Sequence, residues 1–122
     1  MRKIHLATVA VGLAVAASTL LPTAASAAPA ASCVVPWNSG GCTTNTVTAY
    51  NGFISTQILV DGLGNNTTGQ LYDAVSGVKV GPQYTCTNAG QTCGNVTRGL
   101  SSRYYFKIWC SGLCSSRASV YN

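Results

Sequence analysis

Residues 103–110 read Arg-Tyr-Tyr-Phe-Lys-Ile-Trp-Cys, and their polarity repeats with a period of two. Tyr104, Phe106, Ile108 and Cys110 fall on one side; Arg103, Tyr105, Lys107 and Trp109 fall on the other. Side chains alternate across a strand, so this stretch predicts a strand with one apolar face and one basic, aromatic face. Aromatic and β-branched residues suit that pleated surface. A short turn follows between Cys110 and Cys114, and the chain returns through Ala118-Ser119-Val120-Tyr121. The expectation is a terminal β-hairpin, cross-linked at its tip.

The same period runs through the earlier chain. Thr44 to Tyr50 alternates and is rich in threonine, and Asn51-Gly52 is a hairpin turn signal. Phe53 to Val60 predicts the next strand, with Ile54, Thr56, Ile58 and Val60 on one face. Asp61 to Gly69 reads as a loop. Gln70–Val75 and Val78–Val80 flank Ser76-Gly77, a second hairpin signal. Gly81-Pro82 is expected to interrupt the ladder, with a short strand over Gln83–Cys86. Thr87–Thr92 forms a loop bounded by Cys86 and Cys93, and Asn95–Leu100 leads into the last strands. No segment places apolar residues at helical spacing behind a cap. Short strands separated by turn signals predict an all-β chain: a small, disulfide-stabilised antiparallel β-sandwich, immunoglobulin-like or similar.

Residues 1–27 have the pattern of a signal peptide. Arg2 and Lys3 are followed by an apolar run from Leu6 to Leu21, and Ala25-Ser26-Ala27 is a small-residue cleavage signal. The run is short for a membrane span, and nothing downstream resembles a second one. Its alanine-rich composition is bacterial in character. The organisation expected is a signal peptide over 1–27, a flexible leader over 28–32 and one domain over 33–122, secreted and monomeric. The part expected to remain has 122 − 27 = 95 residues. A domain of that size buries only about 60–65% of its unfolded surface and benefits from cross-links. All six cysteines lie in it. They form three close couples, Cys33/Cys42, Cys86/Cys93 and Cys110/Cys114, and short loops close at least entropic cost. Local pairing is therefore expected, with each bridge contributing about 2–3 kcal/mol.

Two resemblances follow from these residues. Gly99-Leu100-Ser101-Ser102-Arg103-Tyr104-Tyr105 resembles the corner before strand F of immunoglobulin-like and fibronectin type III domains. In that corner a tyrosine hydroxyl bonds back to upstream backbone, a part that Tyr104 or Tyr105 would take. The separation from Leu100 to the tyrosine is shorter than that family's. Ser32-Cys33-Val34, Gly41-Cys42 and Thr46-Val47-Thr48 are similar to the start of the tendamistat-type α-amylase inhibitors, which are small secreted β-sandwiches. Of that family's tryptophan, arginine and tyrosine triplet only Trp37 is present, and the second cysteine pair is spaced differently.

Chemistry is bounded by what is missing. Past residue 27 there is no histidine and no glutamate, and the acids are Asp61 and Asp73. Histidine-dependent triads have no imidazole to use; a zinc site, the alternative to disulfides, is disfavoured because the cysteine couples are widely separated in sequence and no histidine remains. Asp61 stands in a turn sequence; Asp73 is expected to face Lys79 across the ladder. The reading is no enzyme, no metal and no cofactor. Of seven basic residues, Arg2 and Lys3 precede the domain; the remaining five against two acids give 5 − 2 = +3. That is too sparse a charge for a nucleic-acid partner.

The candidate ligand-binding residues are Arg103, Tyr105, Lys107 and Trp109 on one strand face, with Trp37 in the first cysteine loop. Rings beside donors stack on sugars or anchor a protein. The same face also reads as a self-contained covering, with a Lys stem lying between two rings. The function expected is a secreted, non-enzymatic binding protein for a carbohydrate or cell-surface ligand. The alternative is an inhibitor or toxin-like factor presenting cysteine-tied loops, Thr87–Thr92 or Ser111–Leu113, to a protein target.

Overall fold

The computed structural model describes residues 28–36, 39–61, 66–112 and 114–122. The expected signal peptide, Trp37 and Leu113 lie outside the described residues. The strands are β1 (Ala31–Val34), β2 (Gly41–Thr43), β3 (Val47–Thr48), β4 (Phe53–Asp61), β5 (Thr67–Asp73), β6 (Lys79–Cys86), β7 (Thr92–Arg98), β8 (Arg103–Cys110) and β9 (Ser115–Tyr121). They form two sheets. One has the order β1-β9-β4-β7 and is called here the β4 sheet. The other, the β8 sheet, has the order β2-β8-β5-β6, with β3 also paired to β8. Every pairing is antiparallel. The fold is the all-β, disulfide-linked sandwich that the alternation predicts.

The core lies between the sheets and is built by the period of two. Ile54, Thr56, Ile58 and Val60 of β4 are all buried, as are Tyr104, Phe106 and Ile108 of β8. Ser116, Ala118 and Val120 of β9 and Leu71 of β5 close the layer. The polar members are satisfied across the gap. Thr67 of β5 and Ser116 of β9 share a hydroxyl hydrogen bond of 2.6 Å, and Thr56 of β4 meets the Tyr84 hydroxyl of β6 at 2.9 Å. Each therefore ties one sheet to the other rather than leaving a buried group unpaired. Tyr84 in turn stacks on Phe106, with ring centroids 6.0 Å apart. Gly69 makes room for this packing. A Cβ there would run into Phe106 Cζ and sit 2.8 Å from Ile58 Cδ1.

The disulfides are Cys33–Cys42, Cys86–Cys93 and Cys110–Cys114, with Cα–Cα distances of 6.1, 5.7 and 6.1 Å. Each spans a crossing from one sheet to the other: β1 to β2, β6 to β7, and β8 to β9. The strand registers place all three at the same pole of the sandwich. Three bridges in a small β domain fit an oxidising, extracellular setting.

That arrangement corrects the expected terminal hairpin. β9 does not pair with β8; it pairs with β1 and β4 in the opposite sheet. Both strands have a buried face, and those faces look at each other across the core. Asn51-Gly52 is likewise no hairpin. β4 is flanked on both edges by β7 and β9, so β3 has no edge of β4 to join and pairs with β8 instead. The expected flexible leader is shorter than 28–32, because β1 begins at Ala31 and the Ala30 amide donates to Val120 O at 2.8 Å. β5 begins at Thr67, within the stretch expected as loop.

Gly81-Pro82 does not end a strand. β6 runs through it as the edge of its sheet, where proline's missing N–H costs no ladder bond. The register shifts between Gly69 and Leu71, and buried Gln70 fills the irregularity. Its Nε2 donates to the carbonyls of Leu71, Val80 and Gly81 at 3.0, 3.1 and 3.1 Å. Asp73 does not pair with Lys79. Its Oδ1 accepts from the amides of Val75 and Ser76 at 2.7 and 3.2 Å, shaping the β5–β6 turn. Tyr104 takes the corner role: its hydroxyl oxygen accepts from the Ser101 and Ser102 amides, both at 3.2 Å.

Two measurements test this packing. Gly69→Ala should destabilise by about 1–3 kcal/mol through overpacking. Adding Phe106→Leu should cost less in that background than in the wild type, and strictly additive denaturation midpoints would refute the contact. The second test concerns Tyr84. Burial, only partly offset by the Thr56 hydrogen bond, pushes its phenol from 10.0 up to about 12. The folded state therefore keeps a proton that the unfolded chain releases, and this contribution to stability is lost as pH rises from 10 through 12. Tyr84→Phe should lower the melting temperature near neutrality but fall less steeply than wild type over that alkaline range.

Candidate functional site

The site is built on β8, an interior strand flanked by β5 on one side and by β2 and β3 on the other. Directly opposed residues in antiparallel pairs share a face. The outward face of β8 carries Arg103, Tyr105, Lys107 and Trp109, the four residues that the alternation assigns to it. β5 sets Tyr72 opposite Tyr105, Gln70 opposite Lys107 and Thr68 opposite Trp109. β6 then sets Lys79 beside Tyr72 and Thr85 beside Thr68. On the other flank Thr48 faces Arg103, Thr43 faces Lys107 and Gly41 faces Trp109.

Tyr105 packs on Tyr72. Their ring centroids are 5.2 Å apart and their planes differ by 10°. Tyr105, Tyr72 and Trp109 are half-buried, whereas Arg103, Lys107 and Lys79 are exposed. The Thr68 and Thr85 hydroxyls bond at 3.0 Å beyond Trp109. Gly41 lets β2 lie tight against the Trp109 backbone: an added Cβ would meet the Ile108 carbonyl and come within 3.3 Å of Trp109 Cβ. The absent side chain also leaves that flank of the indole uncovered by its cross-strand neighbour.

The charge on this face is one-sided. Asp61 belongs to the opposite sheet, where its Oδ2 pairs with Arg117 at 2.8 Å. Asp73 sits at the end of β5 and is committed to the turn amides. These are the only acidic side chains in the sequence. The outer face of the β8 sheet thus presents three cations, two of them alternating with rings along β8, and no acidic side chain. It offers surfaces to stack on and donors to hydrogen-bond with; it offers no carboxylate or imidazole.

Tyr72 and Lys79 are part of this face although the strand pattern of β8 gives no hint of them. The Ser76-Gly77 turn signal puts Lys79 beside Tyr72, but the β5–β8 pairing that brings both to Tyr105 joins segments distant in sequence. Trp37 cannot be placed with the others, since it lies outside the described residues.

The second candidate surface is the disulfide pole. There the loop after Cys86 is held by Gln91, whose Oε1 accepts from the Thr87 and Asn88 amides at 3.3 and 3.1 Å. Gly90 N–H donates to Val60 O at 2.7 Å, and Val60 N–H returns a bond to Gln91 O at 3.1 Å. Thr87, Asn88 and Ala89 stand exposed on that frame.

Among the described residues no helix is long and apolar enough to cross a membrane. No protein family's sequence profile matches the chain, and no curated protein matches it.

Proposed function

We propose that this is a secreted, non-enzymatic binding protein that takes a carbohydrate or other cell-surface ligand on the outer face of the β8 sheet. The observation that carries the reading is the aromatic row itself. The Tyr72–Tyr105 stack and Trp109 lie along the sheet among exposed Arg103, Lys107 and Lys79. A rigid sheet presents these rings at little ordering cost, which favours binding. Half-buried rings with their polar neighbours already in place suit sugar stacking or a protein anchor. The second reading, an inhibitor or toxin-like factor, draws on the disulfide pole. Its cross-linked loops gather at one end, and the Thr87–Gln91 backbone is fixed by its own hydrogen bonds.

The experiment uses the chain secreted by its host and a panel of immobilised neutral and acidic polysaccharides. Denaturation midpoints and binding isotherms are compared for Phe106→Ala, Tyr105→Ala and Trp109→Ala. Phe106→Ala should cost about 3–5 kcal/mol of stability, because its ring is fully enclosed. Tyr105→Ala and Trp109→Ala remove half-buried rings and should cost less, about 1–2 kcal/mol, yet weaken polysaccharide binding roughly ten-fold or more. Equal destabilisation by Trp109→Ala and Phe106→Ala would make the face structural. Normal binding by a stable Trp109→Ala would shift the site to the disulfide pole.

A further inference from the structure

The outer face of the β8 sheet also restricts the chemistry of what it binds; this step rests on the binding reading above. Along β8 the outward side chains run Arg103, Tyr105, Lys107, Trp109, a cation and a ring in alternation. Successive outward positions on a strand lie about 6.6–6.8 Å apart. A ligand that fills this row supplies complements in the same order, apolar surface against Trp109 and against the side of the Tyr72–Tyr105 stack left open, and an acceptor beside each cation.

The hydrogen-bonding inventory is biased in one direction. Lysine and arginine donate and do not accept. The carboxamide of Gln70, opposite Lys107, is buried and spends its NH2 on three backbone carbonyls. Both carboxylates are elsewhere, Asp61 with Arg117 and Asp73 with the turn. A neutral sugar, whose hydroxyls need acceptors as well as donors, finds only uncharged acceptors here, the tyrosine and threonine hydroxyls and the exposed Gln83 amide, and the hydroxyls of Thr68 and Thr85 already bond to each other. An anionic group meets charge-assisted donors, and the acid nearest to them in the register, Asp73 beside Tyr104, is held by the turn amides.

We infer that the ligand is an acidic polysaccharide, with its carboxylates carried on the sugar rings. The sugar rings supply apolar surface for Trp109 and for the open side of the Tyr72–Tyr105 stack, and the carboxylates supply the acceptors for Arg103, Lys107 and Lys79. A polyol-phosphate chain has the charge without the ring. Single-stranded nucleic acid has rings and charge, but wants a continuous basic track along its backbone. Three separated cations do not form one.

The test pairs polygalacturonate with its fully methyl-esterified form, which keeps the sugar backbone and removes the charge. Wild-type protein should bind the acid and bind the ester much more weakly, and raising the salt from about 50 to about 500 mM should erode the difference. Lys107→Gln and Arg103→Gln should each weaken binding to the acid roughly two- to five-fold at low salt, with unchanged melting temperatures. Trp109→Ala should weaken both forms. Equal binding of acid and ester, or glutamine variants that bind as wild type, would overturn the acidic-ligand inference. In that case a loss confined to Tyr105→Ala and Trp109→Ala would still leave a neutral-sugar site. Tighter binding of a polyol phosphate or of oligo(dT) than of polygalacturonate would also overturn it. Binding of no polysaccharide at all would remove the inference and the carbohydrate reading together.

Discussion

This sandwich depends on holding two sheets face to face when most of its connections pass between them. β1–β2, β3–β4, β4–β5, β6–β7, β7–β8 and β8–β9 all change sheet; only β2–β3 and β5–β6 stay within one. A strand that pairs with sequence-distant partners gains its hydrogen bonds only after a long loop has closed. Three of the crossings are covalent, and they lie at one pole. Each bridge closes a short segment, so what it constrains most is local: the exit angle of one strand and the entry of the next. At the other pole the same task falls to non-covalent corners. The Tyr104 hydroxyl collects the Ser101 and Ser102 amides, and the Leu100 amide donates to Gly52 O at 2.9 Å.

Between the poles the two sheets meet through apolar side chains and through paired hydroxyls. Thr67 with Ser116 and Thr56 with Tyr84 are polar groups placed where a hydrophobic residue would pack. Their net contribution to stability is modest, but either partner left alone would carry a desolvation penalty of about 1–3 kcal/mol. They therefore act on specificity. A register slip of one residue in β4 or β5 would turn these hydroxyls outward and bring the polar face in. The core thus prefers one register for a reason beyond apolar burial.

The face assignments of β4 and β8 were legible in the sequence, because alternation is a local property and both strands have one buried side. The cysteine couples were legible for the same reason: their loops are short. Sheet membership was not. Cys110-Ser111-Gly112-Leu113-Cys114 and Asn51-Gly52 are turn sequences that reverse a chain, and reversal looks the same whether the next strand pairs with the last or crosses to the opposite sheet. What decides is competition for edges, and β7 and β9 hold both edges of β4. Gly81-Pro82 misleads for a related reason. Proline excludes an interior strand but not an edge, and edge position is a property of the whole sheet. At the candidate site the β8 residues were readable and Tyr72 was not, since its stack on Tyr105 exists only through the β5–β8 register.

The two outer faces of the sandwich differ in a way that bears on function. On the β4 sheet Arg117 is neutralised by Asp61, exposed Arg98 stands by itself at the far end beside Phe53, and exposed Val34 and Val96 stand among polar residues. Among the described residues Arg117 with Asp61 is the one ion pair. On the β8 sheet Arg103, Lys107 and Lys79 are left without an acidic partner. A chain with two acidic side chains could have placed either beside these cations, but Asp73 is turned into the β5–β6 turn instead. Arg103 and Lys107 stand four residues apart on β8, about 13 Å by the rise of a strand, so salt screens their mutual repulsion. On the proposed reading, an anionic ligand would gain an attraction that no acidic partner has already satisfied. The aromatic rings add contact area that does not depend on charge. Such a surface, on the proposed reading, would select by electrostatics and hold by stacking, two contributions that salt would separate.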